Sequence, residues 1–337
     1  MELTGLAGWT VRGCTLRDVA AILAVTRASD EATVGEPDWT EDEVVSTLTA
    51  PNQDPALDSW LAFDPDGWPA AWAYVDNPER GPRDNVEVYA VPGRGAAAYG
   101  PLLDLALPRV AERAREAGRS QVTLRAGAVA SEEDYIAALR AHGFAFRKRH
   151  ARMTRPLTGD DARALPEARA VAGARAVAGG DGTVSVVRAV RAEDEAEMRR
   201  VHEVLQTAFA DTLDFQPMSY EAWRESLAAL PSISWDEWLV SEISGQIVGV
   251  LQSADQGLER GEGWVKNLAV LREHRRAGIG GALLRAAFAI YAAKGRTSAG
   301  LGVDLTNPTG AYSLYAGVGM SVAFAADMYE RTVAVPP

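Results

Sequence analysis

Residues 265–270, VKNLAV, are apolar and β-prone apart from Lys266 and Asn267, which predicts a mostly buried strand. A polar turn follows, Arg272 to Arg276, and then two glycines, Gly278 and Gly280. Beyond them Ile279, Leu283, Ala286, Ala287 and Ile290 recur at helical spacing and predict an amphipathic helix over 280–293. A short strand over 300–305 comes next. Upstream, strands are predicted at 184–190, 237–241 and 247–253, and helices at 193–209 and from Tyr220 through Trp223 and Leu227. The first half shows the same rhythm. Strands are predicted at 9–12, 60–63, 70–75, 85–91, 122–125 and 144–154, and helices at 16–29, 40–48, up to about 117, and 132–141. Thr40 followed by Glu43 is a capping box. Asp64-Pro65-Asp66-Gly67 is a hairpin connection. Gly143 suits the position after a helix. Between the halves, 155–182 contains ARAVAG twice in succession and reads as a partly helical spacer.

The strand, basic turn and helix start at 264–284 form an anion site by construction. The first N–H groups of a helix have no partner inside it and sit at its positive end. Gly278 and Gly280 let a phosphate approach the backbone, and Arg275 and Arg276 add charge. A dinucleotide fingerprint needs a third glycine, absent at the required spacing, and no GxxxxGK[ST] run exists. What remains is Arg275-x-x-Gly278-x-Gly280.

That spacing resembles the pyrophosphate loop of the GNAT superfamily of N-acetyltransferases. A second stretch, Asn307-Pro308-Thr309-Gly310-Ala311-Tyr312-Ser313-Leu314-Tyr315, with Gly319 and Met320 behind it, resembles the next motif of that family. The resemblance implies an α/β fold with a mixed sheet, in two tandem copies. It implies a degenerate N-terminal copy over 1–157, a linker over 158–182 and a catalytic copy over 183–337. Acetyl-CoA would be the co-substrate. Leu268, Ala269 and Val270 would offer backbone contacts where the fourth strand bulges away from the fifth. Arg275, Arg276, Gly278, Gly280 and Gly281 would hold the pyrophosphate, and Asn307 would touch the cofactor. Tyr315 would give its proton to the departing thiolate. A phenol of pKa about 10 suits that role. Tyr312 is open between core and cofactor contact. The acceptor pocket would be walled by the loop before and into the second helix. There Asp211 and Asp214 would attract an amine, and Phe215, Met218, Tyr220 and Trp223 would form an apolar wall. Many relatives carry a general-base glutamate where this chain has Lys266. That leaves a water chain, Glu237, Glu242 or Asp304.

The first copy departs from the pattern. Its loop, 93–100, lacks R-x-x-G-x-G, although Arg94 stands in it. Leu139 takes the place that matches Tyr315, and Pro108 falls inside a predicted helix. A tandem with an active second copy resembles the mycothiol synthase branch. Relatives there often have His-Trp/Phe-Gly where this chain has Thr212-Leu213-Asp214. A different small amine, such as an antibiotic or another secondary metabolite, therefore stays open.

Composition narrows the field. The net charge of −12 over 337 residues argues against broad nucleic-acid or anionic-membrane binding. A single cysteine, Cys14, excludes an internal disulfide, fits a reducing, cytoplasmic setting and is expected to pack. His142, His150, His202 and His274 are scattered, so no metal site is expected. The apolar run after Met1 is short and carries Glu2 and Arg12, so no secretory leader is expected, and without an apolar run of about 18 residues no membrane span is expected. Abundant alanine with only three lysines points to a GC-rich bacterial genome. The expectation is a monomer or homodimer that acetylates a primary amine of a small molecule by direct attack in a ternary complex. Acetylation of a protein or peptide, or a non-catalytic acyl-CoA sensor, are the alternatives.

Overall fold

The computed structural model describes residues 3, 5–37, 39–77, 81–164, 175–178, 184–210, 212, 215–230, 232–306 and 310–335. The chain divides into two compact units. The first holds Met1–His150 with Phe324–Pro337, and the second holds Ala151–Ala323.

In the first unit β1 (Thr10–Gly13) leads to α1 (Val19–Thr33), α2 (Glu41–Leu48) and a short α3 (Pro55–Asp58). Then come β2 (Ser59–Phe63), β3 (Pro69–Asp76), β4 (Arg83–Ala90), α4 (Tyr99–Glu116), β5 (Gln121–Val129), α5 (Glu133–Ala141) and β6 (Ala145–Pro156), whose end lies in the second unit. Thr40 and Glu43 close the expected capping box at the start of α2. Pro108 sits inside α4 and does not end it. One face of the sheet meets α1 and α2 through Ile22, Val25, Leu61 and Trp72; the other meets α4 through Leu102, Ala106, Val110, Val88 and Leu124. Cys14 is fully buried, and burial pushes its thiol up to about 11, so it packs. The last strand of the chain, Ser321–Ala334, also serves this unit. Ala326–Ala334 pairs antiparallel with β5, from Val129 back to Gln121. The compact units therefore do not follow the chain order that places everything after 183 in one domain.

The second unit contains α6 (Gly159–Arg163), β7 (Arg175–Ala178), β8 (Val184–Ala189), α7 (Glu195–Phe209) and α8 (Tyr220–Ala228). It continues with β9 (Leu239–Ile243), β10 (Gln246–Ala254), β11 (Glu262–Val270), α9 (Ile279–Ala293), β12 (Ser298–Asp304) and α10 (Ala311–Gly317). The strand order is β12-β11-β10-β9-β8-β7. β11 and β12 run parallel and the remaining pairs antiparallel, which is the expected mixed α/β sheet. One expectation is corrected. Arg175–Ala178, inside the predicted spacer, is a strand paired with β8, because inter-strand pairing outweighs alanine's helical preference. The rest of the repeated stretch lies outside the described residues.

α9 is apolar on nearly every side, as suits a helix buried all round. It presses on β10 so closely that a Cβ at Gly249 would stand 2.9 Å from Ile279 Cγ2. The Tyr291 ring occupies the space left at Gly263, and its hydroxyl donates to the Trp264 carbonyl at 3.3 Å. No described helix is long and apolar enough to cross a membrane.

Candidate active site

The site begins where two strands part. β11 and β12 pair from Glu262 with Ser298 to Val265 with Leu301, and there the parallel ladder stops. The β10 ladder shifts register at the same place. Asn267 faces Gln252 and Val265 faces Ser253, so Lys266 is an extra, bulged residue. Beyond it Leu268, Ala269 and Val270 pair only with Leu251, Val250 and Gly249. Among the described residues their outward N–H and C=O groups therefore lack a strand partner on the β12 side.

The following loop is fastened from both ends. Leu271 N–H donates to the Val248 carbonyl at 2.9 Å. The Arg275 guanidinium donates to the carbonyls of Val270 and Ala208, each at 3.0 Å. Arg276 is exposed and takes φ +66°, a left-handed conformation rare for a side-chain-bearing residue. Gly278 caps α9 with φ +82°, and a Cβ there would meet open space. The first turn then presents the N–H groups of Ile279, Gly280 and Gly281; the Ala282 N–H already reaches the Gly278 carbonyl. Gly280 serves close packing instead, since a Cβ would stand 2.9 Å from Leu314 Cδ2. Loop, open space and helix start fit a pyrophosphate.

Leu314 precedes Tyr315 on α10. Tyr315 is half-buried, and its hydroxyl has no hydrogen-bond partner among the described residues. Burial pushes the phenol up to about 12, so it stays protonated through the physiological range. Tyr312 is 47% exposed and is not a core residue. Asn307 lies outside the described residues.

A cavity of about 330 Å³ opens beside Asn267. Leu205, Gln206 and Phe209 of α7, Phe215, Gln216 and Met218 of the loop, Trp223 of α8, and Gln252 line it. Asn267 Nδ2 donates to Gln252 Oε1 at 2.6 Å. Gln206 Oε1 accepts from the Met218 N–H at 3.0 Å. Tyr220 does not line this cavity. Its hydroxyl donates to Glu195 at 2.9 Å, and Arg199 lies over its ring at 4.1 Å. Asp211 and Asp214 lie outside the described residues. The amides Gln206, Gln252 and Asn267 have no signature in the sequence that would have singled them out.

The carboxylates weighed as bases are engaged elsewhere. Glu237 is fully buried between Lys294 at 2.7 Å and Arg296 at 2.5 Å. Glu242 pairs with Arg188. Asp304 accepts from the Thr306 N–H at 2.8 Å.

The first unit lacks the matching loop. Arg94 pairs with Asp64 at 2.7 Å, and a Cβ at Gly95 would stand 2.1 Å from the Ala70 carbonyl oxygen. Its β3–β4 ladder runs from Ala71–Ala90 to Asp76–Asn85 without a bulge.

Comparison with known proteins agrees with this geometry. Residues 234–319 match the family profile described as acetyltransferase (GNAT) domain. A GCN5-related N-acetyltransferase from Sphaerobacter thermophilus is 24% identical with a TM-score of 0.74, over 97% of this chain and 96% of that one. A tandem GNAT protein from the clavulanic acid biosynthesis pathway is 19% identical with a TM-score of 0.58, over 98% and 99%. An N-myristoyltransferase from Saccharomyces cerevisiae, solved with myristoyl-CoA, is 11% identical with a TM-score of 0.51, over 98% and 80%. No functionally curated protein matches the chain in sequence. At these identities the structural likenesses are likenesses of fold. The chain has the mixed α/β fold of these solved acetyltransferases, and its residues 234–319 match the acetyltransferase (GNAT) domain profile.

Proposed function

We propose that the second unit transfers an acetyl group from acetyl-CoA to the amine of a small molecule, by direct attack in a ternary complex. The observation that carries this reading is the parting of β11 from β12 at Val265 and Leu301, beside the start of α9. It leaves a backbone edge for an extended pantetheine arm, and a helix terminus for its pyrophosphate.

Acetyl-CoA supplies the thioester, whose C–S bond breaks as the new C–N bond forms. Leu268, Ala269 and Val270 hold the arm by their free backbone groups. A backbone N–H near Val270 faces the carbonyl oxygen and stabilises it as charge develops. The N–H groups of Ile279, Gly280 and Gly281, with the Arg276 charge, hold the pyrophosphate. Arg275 is already bound to two carbonyls, so its part is to shape the loop. Tyr315 gives its proton to the departing sulfur as the bond breaks. Its burial makes it a weaker acid than a free phenol, so the transfer accompanies cleavage.

The acceptor occupies the cavity at Asn267. Phe209, Phe215 and Trp223 cover its apolar part, and the paired Asn267 and Gln252 amides hold its polar groups. With Glu237 and Glu242 tied into ion pairs, water takes the amine proton. The volume of about 330 Å³ favours a small molecule over a polypeptide.

The test is thiol release from acetyl-CoA with a panel of small primary amines and a peptide N-terminus. Turnover with a small amine, strongly reduced in Tyr315→Phe, is expected. Turnover with the peptide alone, or none with any acceptor despite acetyl-CoA binding, contradicts the proposal.

A further inference from the structure

β11 leaves β12 at the bulge of Lys266, and a buried polar cluster gathers there from β10, α9 and the turn before β9. A bulge interrupts the ladder, so backbone groups beside it need other partners. Ser253 of β10 stands at the register shift, opposite Val265. Its carbonyl accepts from the Trp238 indole N–H at 3.0 Å, and its hydroxyl oxygen lies 3.0 Å from the Glu237 carbonyl oxygen. The same hydroxyl meets that of Tyr291 on α9, which lies 3.3 Å from the Trp264 carbonyl oxygen. When Tyr291 donates to Trp264, Ser253 donates to Tyr291. When Ser253 donates to the Glu237 carbonyl, Tyr291 donates to Ser253. In either arrangement both hydroxyls are satisfied. Ser253, Trp238 and Tyr291 are all buried.

The Tyr291 ring is placed as tightly. A Cβ at Gly263 on β11 would stand 2.2 Å from its Cδ2, so only glycine admits the ring. The Arg296 guanidinium lies over the ring at 4.8 Å and pairs with Glu237 at 2.5 Å. The ring thus meets β11 two residues before the ladder with β12 ends at Val265. In the first unit the residue two before the end of the parallel ladder is Arg83, and the neighbouring β3–β4 ladder has no bulge.

We propose that Tyr291 is a positioning residue: with Ser253 and Trp238 it pins the bulge at Lys266 and so fixes the slot for the pantetheine arm, a role that rests on acetyl-CoA being the ligand there. Packing needs only the ring. The hydroxyl ties α9 to β10 and β11 at the point where one residue is added to β11. Without that tie the extra residue can move along the strand. A shift of one residue turns the outward N–H and C=O groups of Leu268, Ala269 and Val270 to the other side of the strand, away from the slot. Tyr291 touches no substrate and acts through the backbone of β11.

The experiment uses the whole chain and the variants Tyr291→Phe, Ser253→Ala and their double. Calorimetry measures binding of acetyl-CoA and of the phosphoadenosine diphosphate part of coenzyme A, which has no pantetheine arm. Hydrogen exchange of the free chain is read over residues 264–270. Each single variant should weaken acetyl-CoA binding by about tenfold, as for a buried hydrogen bond left unmade. The two changes break one contact, so the double variant should also lose about tenfold rather than about a hundredfold. Binding of the nucleotide part should hold in all three, and exchange over 264–270 should quicken. Ser253→Ala carries the test if Tyr291→Phe fails to fold. Unchanged acetyl-CoA binding and exchange, or equal weakening of both ligands, overturns the proposal and leaves Tyr291 an ordinary core residue. If the unaltered chain binds no acetyl-CoA, the acetyl-transfer reading fails, and the exchange over 264–270 alone decides whether Tyr291 pins the bulge.

Discussion

The guanidinium of Arg275 donates to the carbonyl of Ala208, 67 positions earlier, at 3.0 Å, while its Nε holds the carbonyl of Val270. One side chain thus ties the end of α7 to the end of β11 and shapes the loop between β11 and α9. Its neighbour Arg276 is exposed and strained. The two arginines should therefore fail differently. Arg275→Ala removes two charge-assisted hydrogen bonds, each worth about 1.5–3 kcal/mol. It should lower the melting temperature and acetyl-CoA affinity together. Arg276→Gly relieves the positive φ, so it should leave melting unchanged or higher while weakening acetyl-CoA binding. Thermal melts with and without acetyl-CoA measure both.

Gly280 and Leu314 form the second coupling. Alanine at 280 puts a methyl 2.9 Å from Leu314 Cδ2, next to Tyr315. Gly280→Ala should displace α10 and reduce kcat. The double variant with Leu314→Ala should recover part of the loss. Steady-state kinetics of the two variants show whether the defect is steric.

Tyr315→Phe should reduce kcat by about 10²–10⁴ with little change in KM for acetyl-CoA, as expected for loss of a general acid. The phenol is raised to about 12, so it remains protonated from pH 6 to 10. The wild-type rate should rise as the acceptor amine loses its proton and show no fall from Tyr315 below pH 10. A falling limb between pH 8 and 10 that vanishes in Tyr315→Phe would contradict this role.

Glu237 tests the absence of a buried carboxylate base. It lies between Lys294 and Arg296 with no exposure. Glu237→Gln leaves Arg296 without its counter-charge, while Lys294 keeps Asp236 at 2.7 Å, and should cost about 3–5 kcal/mol in stability. Turnover per folded molecule should hold below the lowered melting temperature. A loss of kcat in fully folded protein would restore Glu237 as a candidate base.

The elements were legible where periodicity was strong. α9 and β11 follow directly from the apolar spacing around Ile279 and Leu268, and the Thr40–Glu43 cap from its two residues. What escaped depends on distant partners. Alanine-rich 175–178 looks helical until β8 pairs with it. The final strand joins β5, about 200 positions away, which local pattern cannot show. Gln252 and Asn267 were silent because a neutral amide pair has no motif, while Tyr220 looked like pocket wall but bonds to Glu195.

Hydrogen exchange of the whole chain, with and without acetyl-CoA and resolved by mass spectrometry, tests the central claim most directly. Acetyl-CoA should slow exchange in peptides covering residues 266–284, where β11 stands free and α9 begins, and leave residues 85–100 of the first unit unchanged. Protection confined to 85–100, or no protection anywhere at saturating acetyl-CoA, would contradict a cofactor site between β11 and β12.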